Sequence, residues 1–165
     1  MILKRQENIW ESWPNYKKSN LFHDFIMTYY ERYNKQNDYG TGELYMPVEM
    51  HVLETICDNP GITVTACAKL RNRTRSAISQ CIKKLEAKGL IIKTPQANNK
   101  KNIALWATDA GKKLTKLHIA FDNTRFQEFF GILPNYYTSE ELNAFFSVME
   151  TALFMAEEDQ RTSRE

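Results

Sequence analysis

"RTRSAISQCIKKLEAKGLIIKTPQANNKK", Arg73 to Lys101, carries eight Lys and Arg against one acid, Glu86. Its apolar residues still keep helical order. Ile78, Cys81, Ile82 and Leu85 recur at three- and four-residue steps and form one buried stripe. The spacing predicts a helix over about 75–88, capped by Thr74 and followed by Gly89 at the place where a left-handed residue usually ends a helix. Leu90, Ile91 and Ile92 begin a strand, and Ile103, Leu105 and Ala107 alternate as its antiparallel partner. "TPQANNKK" between them is polar and reads as the tip of a hairpin that projects into solvent.

Upstream, Pro47 suits the first turn of a helix whose inner face is Val48, Val52, Leu53 and Ile56. "CDNPGI" ends that helix, because the residue before Pro60 is pushed away from helical dihedrals. Thr63 caps a short helix to about Leu70, and "RNR" is a tight turn. Further out lie amphipathic helices. One runs from about Trp10 to Asn37 with Phe22, Phe25, Ile26, Tyr29 and Tyr33 on one face. Another starts at Thr108 and reaches about Phe130. A last one has Thr138 and Glu141 at capping-box spacing, with Leu142, Phe145, Phe146, Met149, Leu153 and Met155 on a wide apolar face. The expected fold is mainly α with a small two-stranded antiparallel hairpin. Its outer helices carry more apolar surface than the middle can cover, which marks an interface with a second copy.

Composition fits a folded domain: 42% of residues are hydrophobic and 25% charged. No apolar run approaches membrane-spanning length, and "MILKRQENIW" lacks the apolar core of a secretory signal. Cys57, Cys67 and Cys81 are too few and too ill-spaced for a disulfide framework or zinc finger, and they point to a reducing, cytoplasmic location. The net charge of +2 hides a segregation: 13 Lys and Arg but two acids lie between Gly61 and His118, against nine and 18 elsewhere. A middle near +11 between flanks near −9 is the footprint of a polyanionic partner. Glycine-rich phosphate loops, HExxH and nucleophile–base arrangements are absent from the sequence, so an enzyme is not expected.

Two short helices, a tight turn and a cationic second helix make a helix-turn-helix, whose second helix enters the major groove. The face opposite Ile78, Ile82 and Leu85 offers Arg75, Ser76, Ser79, Gln80 and Lys83, with Arg73 and Thr74 just before it. Arg can hold guanine and Gln adenine bidentately, whereas Lys83 and Lys84 are expected at phosphates. Lys100 and Lys101 at the hairpin tip read as a wing that reaches the backbone or minor groove.

The series "VLETICDNPGITVTACAKL", "RSAISQCIKKLEAKGLI" and "NNKKNIALWATDAGKKL" resembles the winged helix of the MarR family of bacterial transcriptional regulators. The flanking helices match the family in order and length. The resemblance implies a homodimer built from the first, fifth and sixth helices, with two winged helices on a pseudo-palindromic operator. It implies a division into a dimerisation helix and loop (1–45), a DNA-binding winged helix (46–108) and C-terminal dimerisation helices (109–165). Recognition helix 74–88 would use Thr74, Arg75, Ser76, Ser79 and Gln80, and wing 95–102 would use Lys101. Repression is the expected mode.

The sequence departs from the family in two places. Asn99-Lys100-Lys101 stands where the wing often has Asp and Arg, so the cation loses its orienting carboxylate and its guanidinium fork. Arg71-Asn72-Arg73 stands where a glycine and an aliphatic residue are usual. No cofactor is required. The family's effectors are small aromatic or lipophilic molecules or, in some members, zinc. His118 and Asp122 share a helical face, and the resemblance adds His51 and Glu31 as candidate ligands, with Glu43 as second choice to Glu31. The remaining alternative is a winged helix that binds protein instead of DNA.

Overall fold

Proline and short polar side chains set the element boundaries. In the computed structural model, which describes the backbone of residues 9–96 and 99–162 and the side chains of 9–95 and 103–159, Pro14 divides the first helical segment. Helix α1 is Ile9–Ser12 and α2 is Asn15–Tyr33. The segment expected over 10–37, with Pro14 at the helix start or at a break just before it, does divide at Pro14, because proline restricts the residue before it, and it stops short of Asn37.

A two-stranded hairpin not foreseen in the sequence follows, β1 (Asn37–Asp38) with β2 (Leu44–Tyr45). One side chain builds its turn. Asp38 Oδ1 accepts N–H groups from Gly40 at 2.8 Å, Thr41 at 2.8 Å and Gly42 at 3.1 Å. These donors, Thr41 foremost, hold the Asp38 carboxyl below its ordinary range.

Helix α3 (Pro47–Asp58) starts as proline dictates, and the Glu49 carboxylate accepts the Met46 N–H at 3.1 Å. Short strand β3 (Ile62–Thr63) leads into α4 (Val64–Leu70), capped by Thr63. Helix α5 (Arg75–Ala87) is capped by Thr74, whose hydroxyl accepts the Ala77 N–H at 3.2 Å. Gly89 then takes φ +68° and turns the chain into β4 (Ile91–Gln96). Strand β5 (Asn99–Ala107) returns and lies between β3 and β4.

The sheet is therefore three-stranded, one strand more than the expected hairpin. Ile62 pairs with Leu105, and β4 runs in register from Ile91 opposite Ala107 to Pro95 opposite Ile103. Most of the segment expected as a loop, 94–101, is strand. Its polar sequence shows no apolar alternation and so disguises the pairing. Trp106 braces the hairpin: its ring N–H donates to Thr94 Oγ1 at 2.8 Å.

Helix α6 (Asp109–Phe130) leaves the sheet at once, and α7 (Ser139–Thr162) follows a short 3-10 turn at Leu133–Asn135. The expected capping box at the start of α7 forms, with reciprocal bonds between Thr138 and Glu141.

The core is local. Met50, Leu53 and Ile56 of α3, Ile78, Ile82 and Leu85 of α5, Cys67, Ile91 and Leu105 are all fully buried. Each such side chain contributes roughly 1.5–3 kcal/mol by leaving water. The first turns of α6 join this core through Leu114 and His118. By contrast α2 buries no residue at all. Trp10, Tyr16, Phe22 and Tyr30 on the N-terminal helices, and Val148, Leu153, Phe154 and Met155 on α7, are more than half exposed. Among the described residues no helix is long and apolar enough to cross a membrane.

The exit of α6 depends on one glycine. The Thr108 hydroxyl donates to Gly89 O at 2.8 Å and accepts the Gly111 N–H at 3.1 Å. A Cβ on Gly111 would collide with the Leu90 carbonyl oxygen and crowd Leu53. Gly111→Ala is expected to lower stability by about 1–3 kcal/mol or more through overpacking. Lys112→Ala, one residue along at an exposed position, should stay within about 0.5 kcal/mol. Urea unfolding of both variants checks the difference.

Candidate nucleic-acid interface

Helices α4 and α5 meet through a turn that a left-handed residue makes possible. Asn72 has φ +47°, a conformation that Asn tolerates better than most side chains. The Arg73 N–H donates to Ala68 O at 2.9 Å and closes the turn. Asn72 thus supplies the left-handed residue of the turn, and α5 starts where Thr74 predicts.

Helix α5 divides cleanly. Ile78, Cys81, Ile82 and Leu85 are buried. Arg73, Thr74, Arg75, Ser76, Gln80 and Lys83 are exposed, and Ser79 is half-buried at the margin. Among the described residues, Arg73, Arg75 and Lys83 form no ion pair. Among the described residues, the sequence-predicted contacts therefore share one solvent-facing strip that runs from the turn to Lys83. The side chains of Lys100 and Lys101 lie outside the described residues.

The C-terminal half of α5 differs from expectation. Lys84 does not stand free for a phosphate: its Nζ lies 2.8 Å from Oε1 of Glu49, a buried carboxylate on α3. The hydrogen bond from Lys84 to Glu49 pushes the lysine pKa up. Lys88 Nζ donates to Leu44 O at 3.0 Å, sits 3.2 Å from Glu43 Oε2 and lies 3.8 Å from the Tyr45 ring centre. Lys88 in turn holds the Glu43 carboxyl below its ordinary range. Lys93 pairs with Glu86 at 2.6 Å. Sequence alone does not separate these paired cations from the unpaired ones.

A second constellation lies behind the helix-turn-helix. His51 and His118 have ring centres 5.2 Å apart, and with Glu54 they bring ligand atoms within 4.8 Å of one another. His118 is 2% exposed, and its Nδ1 has no hydrogen-bond partner among the described residues. Its Nε2 lies 3.3 Å from Asp122 Oδ2. Burial holds the His118 pKa down, opposed by Asp122 and assisted by His51. Of the four sequence-predicted ligands, His51 and His118 come together, whereas Asp122 meets His118 Nε2 but is not in the group that His51, Glu54 and His118 form. Glu31 is exposed on α2 and outside this group. Glu54 takes the carboxylate role in the cluster, and its spacing of three from His51 on α3 was the signal that could have found it.

The same region borders a cavity of about 840 Å³. Tyr29, Tyr33 and Phe129 line it from the helical side, and Arg71, Arg73 and Ile78 from the helix-turn-helix side. The Tyr33 hydroxyl is buried there without a partner among the described residues.

Residues 46–103 match the model of the MarR family. The HTH-type transcriptional regulator YhjH of Bacillus subtilis is 33% identical over 105 residues, which are 64% of this chain and 59% of YhjH, so the chain spans about three-fifths of that relative. The S. aureus MepR–DNA complex superposes with a TM-score of 0.64 at 21% identity, over 84% of this chain and 97% of MepR. A zinc-responsive MarR family member, ZitR of Lactococcus lactis, gives 0.64 at 18% identity, over 85% and 99%. The segment that matches the MarR family, residues 46–103, runs from the start of α3 into β5 and so takes in most of the winged helix.

Proposed function

We propose that this chain is a homodimeric, sequence-specific DNA-binding transcriptional regulator, of the repressor kind. In this reading, α5 enters the major groove of a pseudo-palindromic operator, and the β4–β5 wing lies at the backbone or minor groove. The observation that carries it is the exposed strip of α5, where Arg73, Thr74, Arg75, Ser76, Gln80 and Lys83 face solvent opposite a buried stripe. The MarR family consists of transcriptional regulators rather than enzymes. The MepR structure is a DNA complex, which supports the same reading here. A cytoplasmic location fits this role.

The unpartnered apolar faces of α2 and α7 support dimerisation, with residues 1–45 and 109–165 as the helical arms around a winged helix at 46–108. Sedimentation at micromolar concentration is expected to give twice the 19.3 kDa of the chain. A monomer would remove the two-fold operator from the reading.

Fluorescence anisotropy tests DNA binding, with duplex from upstream of the protein's own gene set against scrambled duplex at several salt concentrations. Arg75→Ala should cost about 1–3 kcal/mol and relax discrimination at one base pair. Lys83→Ala should weaken both duplexes alike and flatten the log–log salt slope by about 0.9. Binding that ignores salt would favour a protein-binding module instead.

A second reading concerns regulation. The cavity beside Arg71 and Arg73 supports a small aromatic effector that would act on the turn before α5. The cluster of His51, Glu54 and His118 supports zinc, because two imidazoles and a carboxylate are a fitting donor set and His118 Nδ1 is otherwise orphaned among the described residues. If zinc is the effector, it changes DNA affinity in wild type, and His118→Ala abolishes the change without abolishing basal binding. Identical anisotropy curves with zinc and with chelator would discard the metal.

A further inference from the structure

We infer that Lys84 and Lys88 serve DNA recognition through ion pairs and hydrogen bonds to neighbouring elements of the protein, as positioning residues that fix the attitude of α5, and not as phosphate contacts. This rests on the DNA-binding reading above.

The two lysines are four residues apart, at the C-terminal end of α5, beside the buried stripe. Each is held by a different element. Lys84 reaches Glu49, which is 5% exposed, and the same carboxylate caps the first turn of α3 through the Met46 N–H. One carboxylate therefore ties the start of α3 to α5. If Lys84 swung to a phosphate, it would leave that buried carboxylate without its counter-charge, with only the Met46 N–H on it, which a single exposed phosphate contact does not offset. Lys88 is gripped three ways by β2 and its flank: the Leu44 carbonyl, the Glu43 carboxylate and the Tyr45 ring.

The β1–β2 hairpin is itself anchored at its other end. Arg125 of α6 donates to Asn37 Oδ1 at 3.0 Å, and the Tyr39 ring packs edge-on against Phe121 at 4.9 Å. A continuous set of contacts thus runs from α6 through the hairpin to the end of α5. Two clamps hold one end of the helix while its N-terminal strip stays free to meet bases. Base contacts tolerate little tilt, whereas phosphate attraction tolerates much. Loosening the clamps should therefore reduce discrimination and leave the electrostatic affinity in place.

The test compares Lys84→Met, Lys88→Met, Glu49→Gln and Lys83→Ala in the full chain. It measures anisotropy on upstream and scrambled duplex across a salt series, with thermal melting by circular dichroism alongside. Lys84→Met and Lys88→Met are expected to reduce the preference for upstream duplex on the order of tenfold. Their affinity for scrambled duplex and their salt slope should match wild type. Lys83→Ala should do the reverse.

Glu49→Gln decides most sharply, because it removes no cation and frees one. Positioning predicts lost preference with an unchanged slope. A phosphate role for Lys84 predicts a steeper slope and tighter scrambled binding. Lys84→Arg, which keeps the pair, should restore preference, and the Glu49→Gln/Lys84→Met double variant should be no worse than either single one. If Glu49→Gln melts below the assay temperature, the lysine variants decide alone. A slope flattened by Lys84→Met as much as by Lys83→Ala overturns the inference. If wild type itself shows no preference between duplexes, the DNA-reading proposal falls, and this one falls with it.

Discussion

The seating of α6 on the Leu90 carbonyl is the constraint from which the architecture follows. A helix can leave a sheet at this angle only if its first turn comes within contact of backbone, and only glycine at position 111 permits that. Thr108 completes the joint by bonding to Gly89 on one side and Gly111 on the other. The joint sets the direction in which the long arm leaves the winged helix. In the proposed dimer it also sets how far apart two recognition helices stand. The arm is rigid where it meets the core, at Leu114 and His118, and free of the core beyond Phe121.

Charge is arranged with equal economy. The middle of the chain is strongly cationic, but its cations have two destinies. Arg73, Arg75 and Lys83 face solvent without ion pairs among the described residues, whereas Lys84, Lys88 and Lys93 are matched by Glu49, Glu43 and Glu86. Each of the three acids lies on a different element from its lysine, so each pair is also a cross-link between pieces of the fold. A basic surface is needed for association with a polyanion, but an unbalanced basic helix would repel itself and its neighbours. Pairing at one end and freedom at the other meets both demands.

Much of this was legible in the residues. Thr63, Thr74, Thr108 and the Thr138–Glu141 pair each marked a helix start, because a hydroxyl three residues before an orphan N–H has a local job that needs no tertiary context. The stripe of Ile78, Ile82 and Leu85 likewise fixed which side of α5 faces outward. Other features depend on distant partners, and the residues alone did not announce them. Strands β1 and β3 are two residues long and carry no periodicity. The far half of β4 is polar, so its alternation is invisible. Lys84 has the same letter as Lys83, and only the position of Glu49, 35 residues earlier, separates their roles. Glu54 lies three residues from His51, a local signal, but only the approach of His118 from another helix makes the pair a cluster.

Strand order has one more consequence. Strand β5 is paired on both sides, so β4 is an open edge of the sheet. Pro95 sits on that edge, where it offers no N–H to a visiting strand, and Lys93 stands two residues before it. A chain with so much exposed apolar helix has to direct its self-association, since strand-to-strand pairing through the wing would compete with helix packing and end in fibres or precipitate. The proline makes the edge a poor template, and that leaves the helical arms as the favoured route to assembly and the sheet free for its own work.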